Sequence, residues 1–141
     1  MQWPLFYGNC DLRPEADLLT ESVLYEERDG VAIITINRPE RLNTLTVDVI
    51  RGVADGVEQA AYTSDVAAII LRGEGGNISA GYDLREFLDD SGPEQGEIWD
   101  PVGDYQSMAA NVRQFMKIWE CPKPVIGEIS GWALGGATAL I

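Results

Sequence analysis

The sequence predicts an α/β domain with a largely parallel sheet, and three observations carry that reading. Two strand-like runs flank Asp29-Gly30, a pair suited to a two-residue hairpin turn because both positions tolerate positive φ. Val47, Ile50, Val53, Ala54 and Val57 then recur at helical spacing. Val66 to Leu71 is a short continuous apolar run, the pattern of a parallel strand buried on both faces.

Residues 1–22 show no clear period and read as an irregular N-terminal arm; residues 23–141 form the domain. Val23 to Arg28 and Val31 to Ile36 are the hairpin strands, and Arg38-Pro39 closes the second, because proline holds the residue before it extended. Thr46 is the expected N-cap of a helix from Val47 to about Tyr62, with Asp48 in its first turn. Gly73-Glu74-Gly75-Gly76-Asn77 is a loop. It resembles half of a dinucleotide fingerprint, but Ile78 stands where the third glycine belongs, and that reading is rejected.

Asp83 to Leu88 is expected to form a short helix capped by Asp83, with Glu86 solvated on it. Asp89 to Gly103 reads as a mobile acidic loop, broken by Gly92-Pro93, Gly96 and Asp100-Pro101. A second amphipathic helix follows, in which Tyr105, Met108, Val112, Phe115, Met116 and Trp119 share one face and are expected to pack into the core. Cys121-Pro122-Lys123-Pro124 ends it. Val125 to Ile129 is another strand, and a glycine-rich helix begins near Gly135 and stops at Ile141 after barely two turns.

Composition narrows the function. Ten Lys and Arg against 23 Asp and Glu give a net charge of −13 over 141 residues. Nucleic acids and anionic membranes reward a basic surface, so neither is an expected partner. No apolar run is long enough to span a membrane, and Met1 to Tyr7 lacks the basic start of a signal peptide, which points to the cytoplasm. With no histidine and only Cys10 and Cys121, a His-based zinc site, a disulfide framework and His-dependent triads are excluded; no metal is expected.

The chemistry concentrates in two small-residue turns, Ile78-Ser79-Ala80-Gly81-Tyr82-Asp83-Leu84 and Gly131-Trp132-Ala133-Leu134-Gly135-Gly136. Together they are suited to aiming two backbone N–H groups at one point. Fixed donors in a dry site stabilise a developing oxyanion, and a helix start adds unpaired N–H groups and a favourable dipole.

These two turns, with Ile33-Thr35-Ile36-Asn37-Arg38-Pro39, Leu42-Asn43 and Lys123-Pro124-Val125-Ile126, resemble the enoyl-CoA hydratase/isomerase (crotonase) superfamily over residues 23–141. Trp99-Asp100-Pro101-Val102 with Asp104-Tyr105 resembles a bacterial subgroup of enoyl-CoA hydratase family proteins. The resemblance implies a crotonase-like spiral of ββα units, incomplete at its C-terminus and assembled as trimers or pairs of trimers. It implies an acyl-CoA thioester as ligand, coenzyme A entering as part of the substrate with no permanently bound cofactor, and a role in fatty acid metabolism. The oxyanion donors would be the backbone N–H groups of Tyr82 and Gly136. Arg41, Leu42, Ala80, Gly81, Tyr82, Asp83, Leu84, Arg85 and Gly136 would line the substrate path.

The departures from the family pattern matter as much. Hydratases of the family place a glutamate three residues beyond the oxyanion glycine; here that place holds Ala139, and a methyl group moves no proton. The second family glutamate would fall beyond Ile141. Tyr82, Asp83, Glu86, Glu97, Tyr105 and Glu128 are the local ionisable candidates, and Glu128 interrupts an apolar strand beside the second turn. Three readings follow: an enzyme that stabilises a thioester enolate, a catalytically inactive binding or assembly module, and one part of a longer polypeptide whose C-terminal half completes the site.

Overall fold

The computed structural model describes residues 22–89 and 100–141, with side chains described outside 87–89. The expected arm (1–22, but for Ser22), most of the expected acidic loop and Glu97 therefore lie outside the described residues.

A four-stranded sheet, β1 (Val23–Arg28), β2 (Val31–Ile36), β3 (Ala68–Gly73) and β4 (Val125–Glu128), runs in chain order from one edge to the other. β1 and β2 pair antiparallel, Val23 opposite Ile36 and Arg28 opposite Val31. The turn between them places Asp29 at φ 53° and Gly30 at φ 79°, the two positive angles that let a two-residue hairpin follow the strand twist. β2 pairs parallel with β3, and β3 with β4, so each crossover must leave the sheet and return.

The first crossover is α1 (Val47–Tyr62), bounded as the sequence predicts. The Thr46 hydroxyl accepts the Val49 N–H at 3.2 Å, satisfying a donor the helix cannot. Its inward face is Val49, Ile50, Val53, Val57 and Ala60, which form one core cluster with Ile34, Ile36, Ile69 and Leu71 of the sheet, and Ala54 is buried as well. Gly56 lets the helix sit close: a Cβ there would lie 3.1 Å from Ile34 Cδ1. At the helix end the Lys123 ammonium donates to the carbonyls of Ala60, at 2.7 Å, and Thr63, at 2.5 Å. The segment entering β4 is thereby tied to the electronegative helix terminus.

α2 spans Leu84–Asp89 and α3 spans Pro101–Trp119. The start of α3 corrects the expected loop boundary. Asp100 is its N-cap, its carboxylate accepting the Val102 N–H at 2.9 Å, and Pro101 sits where a missing N–H costs nothing. Lys117 anchors α3 to α1 through Glu58 at 2.8 Å and Asp55 at 3.5 Å. β3 is displaced two residues from the expected run, because Val66 and Ala67 form the approach and pairing with β2 begins at Ala68. The last expected helix is a 3₁₀ turn, Gly135–Ala139.

The larger correction concerns α3. Its apolar stripe is not core: Trp119 is 83% exposed, Tyr105 73%, and Met108, Val112 and Met116 are also exposed, while only Phe115 packs partly inward. Ile126, Ile129, Trp132, Leu134 and Ile141 are exposed as well. Helical periodicity reports that a face is apolar and says nothing of what covers it. Cys121 is a free, partly buried thiol packed against the core, and Cys10 lies outside the described residues.

Two substitutions separate the real core from the exposed stripe. Ile34→Ala removes a fully buried side chain and is expected to lower unfolding free energy by about 2–5 kcal/mol in urea titrations. Trp119→Ser should change it by no more than about 0.5 kcal/mol, as for a surface site. A Trp119→Ser loss matching that of Ile34→Ala would return the stripe to the core.

Candidate functional site

Three backbone segments meet at the carboxyl ends of β2 and β3. The middle one, residues 79–83, is held on both sides. Ala80 N–H donates to Leu42 O at 3.0 Å, Leu45 N–H to Gly81 O at 2.8 Å, and Asp83 N–H to Leu45 O at 2.9 Å. On the other side Leu134 N–H donates to Ser79 O at 3.0 Å and Ile78 N–H to Trp132 O at 3.1 Å. Bridges pair Leu45 with Tyr82 and Ser79 with Ala133, both parallel. The small residues are required here. Gly81 has φ 100°, and a Cβ on it would lie 3.0 Å from Leu134 O. The buried Ser79 hydroxyl accepts the Gly81 N–H at 3.0 Å, fixing that turn.

Asn43, 1% exposed, organises the same end of the sheet. Its amide nitrogen donates to Glu74 O at 2.9 Å and Asn77 O at 2.8 Å, and its amide oxygen accepts the Arg38 N–H at 2.9 Å. Asn77 continues the chain of contacts, accepting the Trp132 N–H at 3.2 Å. Three loops distant in sequence are thus fastened by two carboxamides.

Asp83 does more than cap α2. One carboxylate oxygen accepts the Arg85 N–H at 3.3 Å, the expected cap. The other accepts the Thr44 hydroxyl at 3.0 Å and faces the Arg38 guanidinium at 3.3 Å, with the two charged side chains 13% and 18% exposed. Burial by itself would raise this carboxyl's pKa. The hydrogen bonds from Thr44 and the Arg85 backbone, together with the Arg38 charge, outweigh it and hold the pKa below the usual carboxylate range. Glu86 corrects another expectation: it is not simply solvated, because its carboxylate accepts the Val47 N–H at 3.2 Å at the start of α1. A negative charge at a helix N-terminus is favourable for the same reason as a cap.

Of the residues expected to act, the structure brings Tyr82 and Gly136 together. Gly135, at φ 53°, and Gly136 open the 3₁₀ turn, where N–H groups lack intrahelical acceptors. A Cβ on Gly136 would lie 2.7 Å from Tyr82 Cε2 and 3.0 Å from Cζ, so the Tyr82 ring rests on the glycine. Burial raises the Tyr82 phenol pKa, leaving it protonated at neutral pH. Leu42, with φ 54°, reaches this cluster through its carbonyl, and Ala80, Gly81 and Asp83 are within it. Arg41, Leu84 and Arg85 stand exposed at its rim.

The remaining candidates lie apart. Glu128 is exposed on β4 and faces Arg72 at 3.9 Å, and Tyr105 is exposed on α3. Ala139 is exposed at the end of the 3₁₀ turn. An open depression of about 230 Å³ is lined by Arg72, Gly73–Gly76, Glu128 and Ser130; of the candidates it includes Glu128 and none of the residues expected to line the substrate path. Among the described residues no three His, Cys, Asp or Glu side chains are grouped to hold a metal ion, and no helix is long and apolar enough to cross a membrane.

This arrangement of strands and glycine turns recurs in known proteins. The family model for enoyl-CoA hydratase/isomerase matches residues 26–141, and the chain belongs to that family. An enoyl-CoA hydratase of Mycobacterium smegmatis superposes with a TM-score of 0.75 at 34% identity, covering 85% of this chain and 44% of that one. An enoyl-CoA hydratase/isomerase from Xanthobacter autotrophicus Py2 gives 0.74 at 32%, covering 84% and 42%. The glyoxysomal fatty acid beta-oxidation multifunctional protein MFP-a of Cucumis sativus is 36% identical over 110 residues, 77% of this chain and 14% of its own length. The chain therefore spans under half of these solved relatives and a smaller part of the multifunctional one. The fold is the corresponding part of a crotonase ββα spiral.

Asp83 makes stability depend on acid. Its folded pKa is depressed, so its contribution is complete above the unfolded value of about 4 and is lost as pH falls toward the folded value. Urea midpoints measured from pH 7 downward should fall below pH 4, and Asp83→Asn should flatten that decline. Asn43→Ala leaves buried partners unpaired and is expected to cost about 2–4 kcal/mol by the same titration.

Proposed function

We propose that the chain binds an acyl-CoA thioester and stabilises the enolate of that thioester with the backbone N–H groups of Tyr82 and Gly136. The carrying observation is that the Tyr82 ring lies against Gly136, which brings two residues 54 positions apart together at the start of a glycine-opened turn. Two fixed donors directed at a thioester oxygen strengthen their hold as negative charge develops there, which lowers the barrier to forming the enolate. Family membership and the hydratase names of its relatives support the same ligand class.

The rest of the substrate path follows the rim. Ala80 and Gly81 permit close approach of the pantetheine chain, with Leu42 and Leu84 as exposed apolar contacts. Arg41 and Arg85 supply positive charge for the CoA phosphates in a chain whose net charge is −13. Coenzyme A enters as part of the substrate, so no resident cofactor is required. Assembly is read as a trimer-based homo-oligomer, with a further polypeptide half packing on the uncovered apolar face.

Within the family the reaction class is hydration or isomerisation. One observation favours a second reading, a binding module without turnover: Ala139 carries no acid or base, and Asp83 is committed to Arg38 and Thr44.

Gly136→Pro removes one donor, and because a Cβ at 136 would lie 2.7 Å from the Tyr82 ring it is made in, and compared with, a Tyr82→Ala background. Calorimetric titration with crotonyl-CoA should show affinity reduced by about tenfold or more, with free CoA affected less. Equal affinity for crotonyl-CoA in both proteins would overturn the oxyanion assignment. Loss of the enoyl absorbance on incubation would establish turnover and eliminate the binding-only reading.

A further inference from the structure

We infer that the Tyr82 side chain is the wall that limits which acyl groups the site admits, an inference that rests on the acyl-CoA reading above. The ring occupies the volume that any side chain at position 136 would need, with Cε2, Cζ and Cδ2 at 2.7, 3.0 and 3.1 Å from a Cβ built there. Glycine at 136 and the aromatic ring at 82 are therefore a matched pair. One makes room that the other fills.

The ring is positioned by its backbone. Leu45 takes the Asp83 N–H and donates its own N–H to Gly81 O, gripping the chain on both sides of Tyr82. Gly81 backs directly onto Leu134, where a Cβ would meet the carbonyl oxygen at 3.0 Å. With 79–83 held between 42–45 and 132–134, the main chain cannot slide away from a bulky ligand. Accommodation must come from the side chain.

A thioester oxygen held by residues 82 and 136 places the first carbons of its acyl group beside this ring. A flat ring packs well against a short planar acyl group such as a conjugated enoyl unit. A long or branched chain needs the space the ring takes. The phenol is neutral at pH 7 and burial raises its pKa further, so the wall adds no negative charge next to a developing enolate.

Affinities of crotonyl-CoA, octanoyl-CoA and free CoA, measured calorimetrically on the 141-residue chain and its variants, test the inference. The unmodified protein should favour crotonyl-CoA over octanoyl-CoA. Tyr82→Ala should raise the octanoyl-to-crotonyl affinity ratio by about tenfold or more, the scale of a few methylene groups admitted to a pocket. Tyr82→Phe keeps the ring and should keep the ratio; Tyr82→Trp enlarges it and should lower the ratio. Thermal melts identify any variant that fails to fold, and Tyr82→Trp then carries the test in place of Tyr82→Ala. An unchanged ratio in the folded variants, with thioesters still bound more tightly than free CoA, overturns the inference and leaves the acyl-CoA reading standing. No preference for either thioester over free CoA in the unmodified protein removes both.

Discussion

The interaction on which the functional end of this fold depends is the buried carboxamide of Asn43. Its three hydrogen bonds close the turn after β2 and fasten it to the loop after β3. No aspartate could replace it, because two of the three partners are carbonyl oxygens and need a donor. The residue is held at φ 54°, a conformation asparagine tolerates better than most, so its backbone and its side chain are suited to the same place. The contacts that hold residues 80–83 on one side, to Leu42 and Leu45, come from the segment that Asn43 fixes.

Around that anchor, charge is used sparingly and locally. The Arg38–Asp83 pair is set among hydrogen bonds from Thr44 and the α2 backbone, so both ions are partnered where water is scarce. The same carboxylate caps a helix and joins two loops. This leaves the carboxylate structural.

Local signals in the sequence translated faithfully. Asp29-Gly30 specified its turn, and Thr46 with the period of Val53 and Val57 specified α1, because caps and two-residue turns are decided by neighbouring residues. Asp83 was legible as a cap. Its bond to Arg38 was not, since that contact crosses from one loop to another and depends on how the sheet brings them together. The same is true of Glu86 at the start of α1, and of Tyr82 resting on Gly136. The α3 stripe misled for a different reason: amphipathicity records the presence of an apolar face, while burial depends on which partner is at hand. Family motifs located the two glycine turns, but only the packing revealed that the ring of one covers the glycine of the other.

The strand order has a kinetic meaning. Because β1, β2, β3 and β4 lie side by side in the order in which they occur along the chain, each strand adds to an edge already complete. The hairpin closes over two residues, whereas pairing Val31 with Ala68 waits for α1, and pairing Ile69 with Val125 waits for α3. Loop closure grows costlier with each step, and each step finds a larger template. Among these four strands none has to be threaded between two others. A ribosome releasing this chain from its N-terminus would present the strands in the order the sheet can use them, and the glycine turns that meet at Tyr82 would come into register only after the strands that precede them.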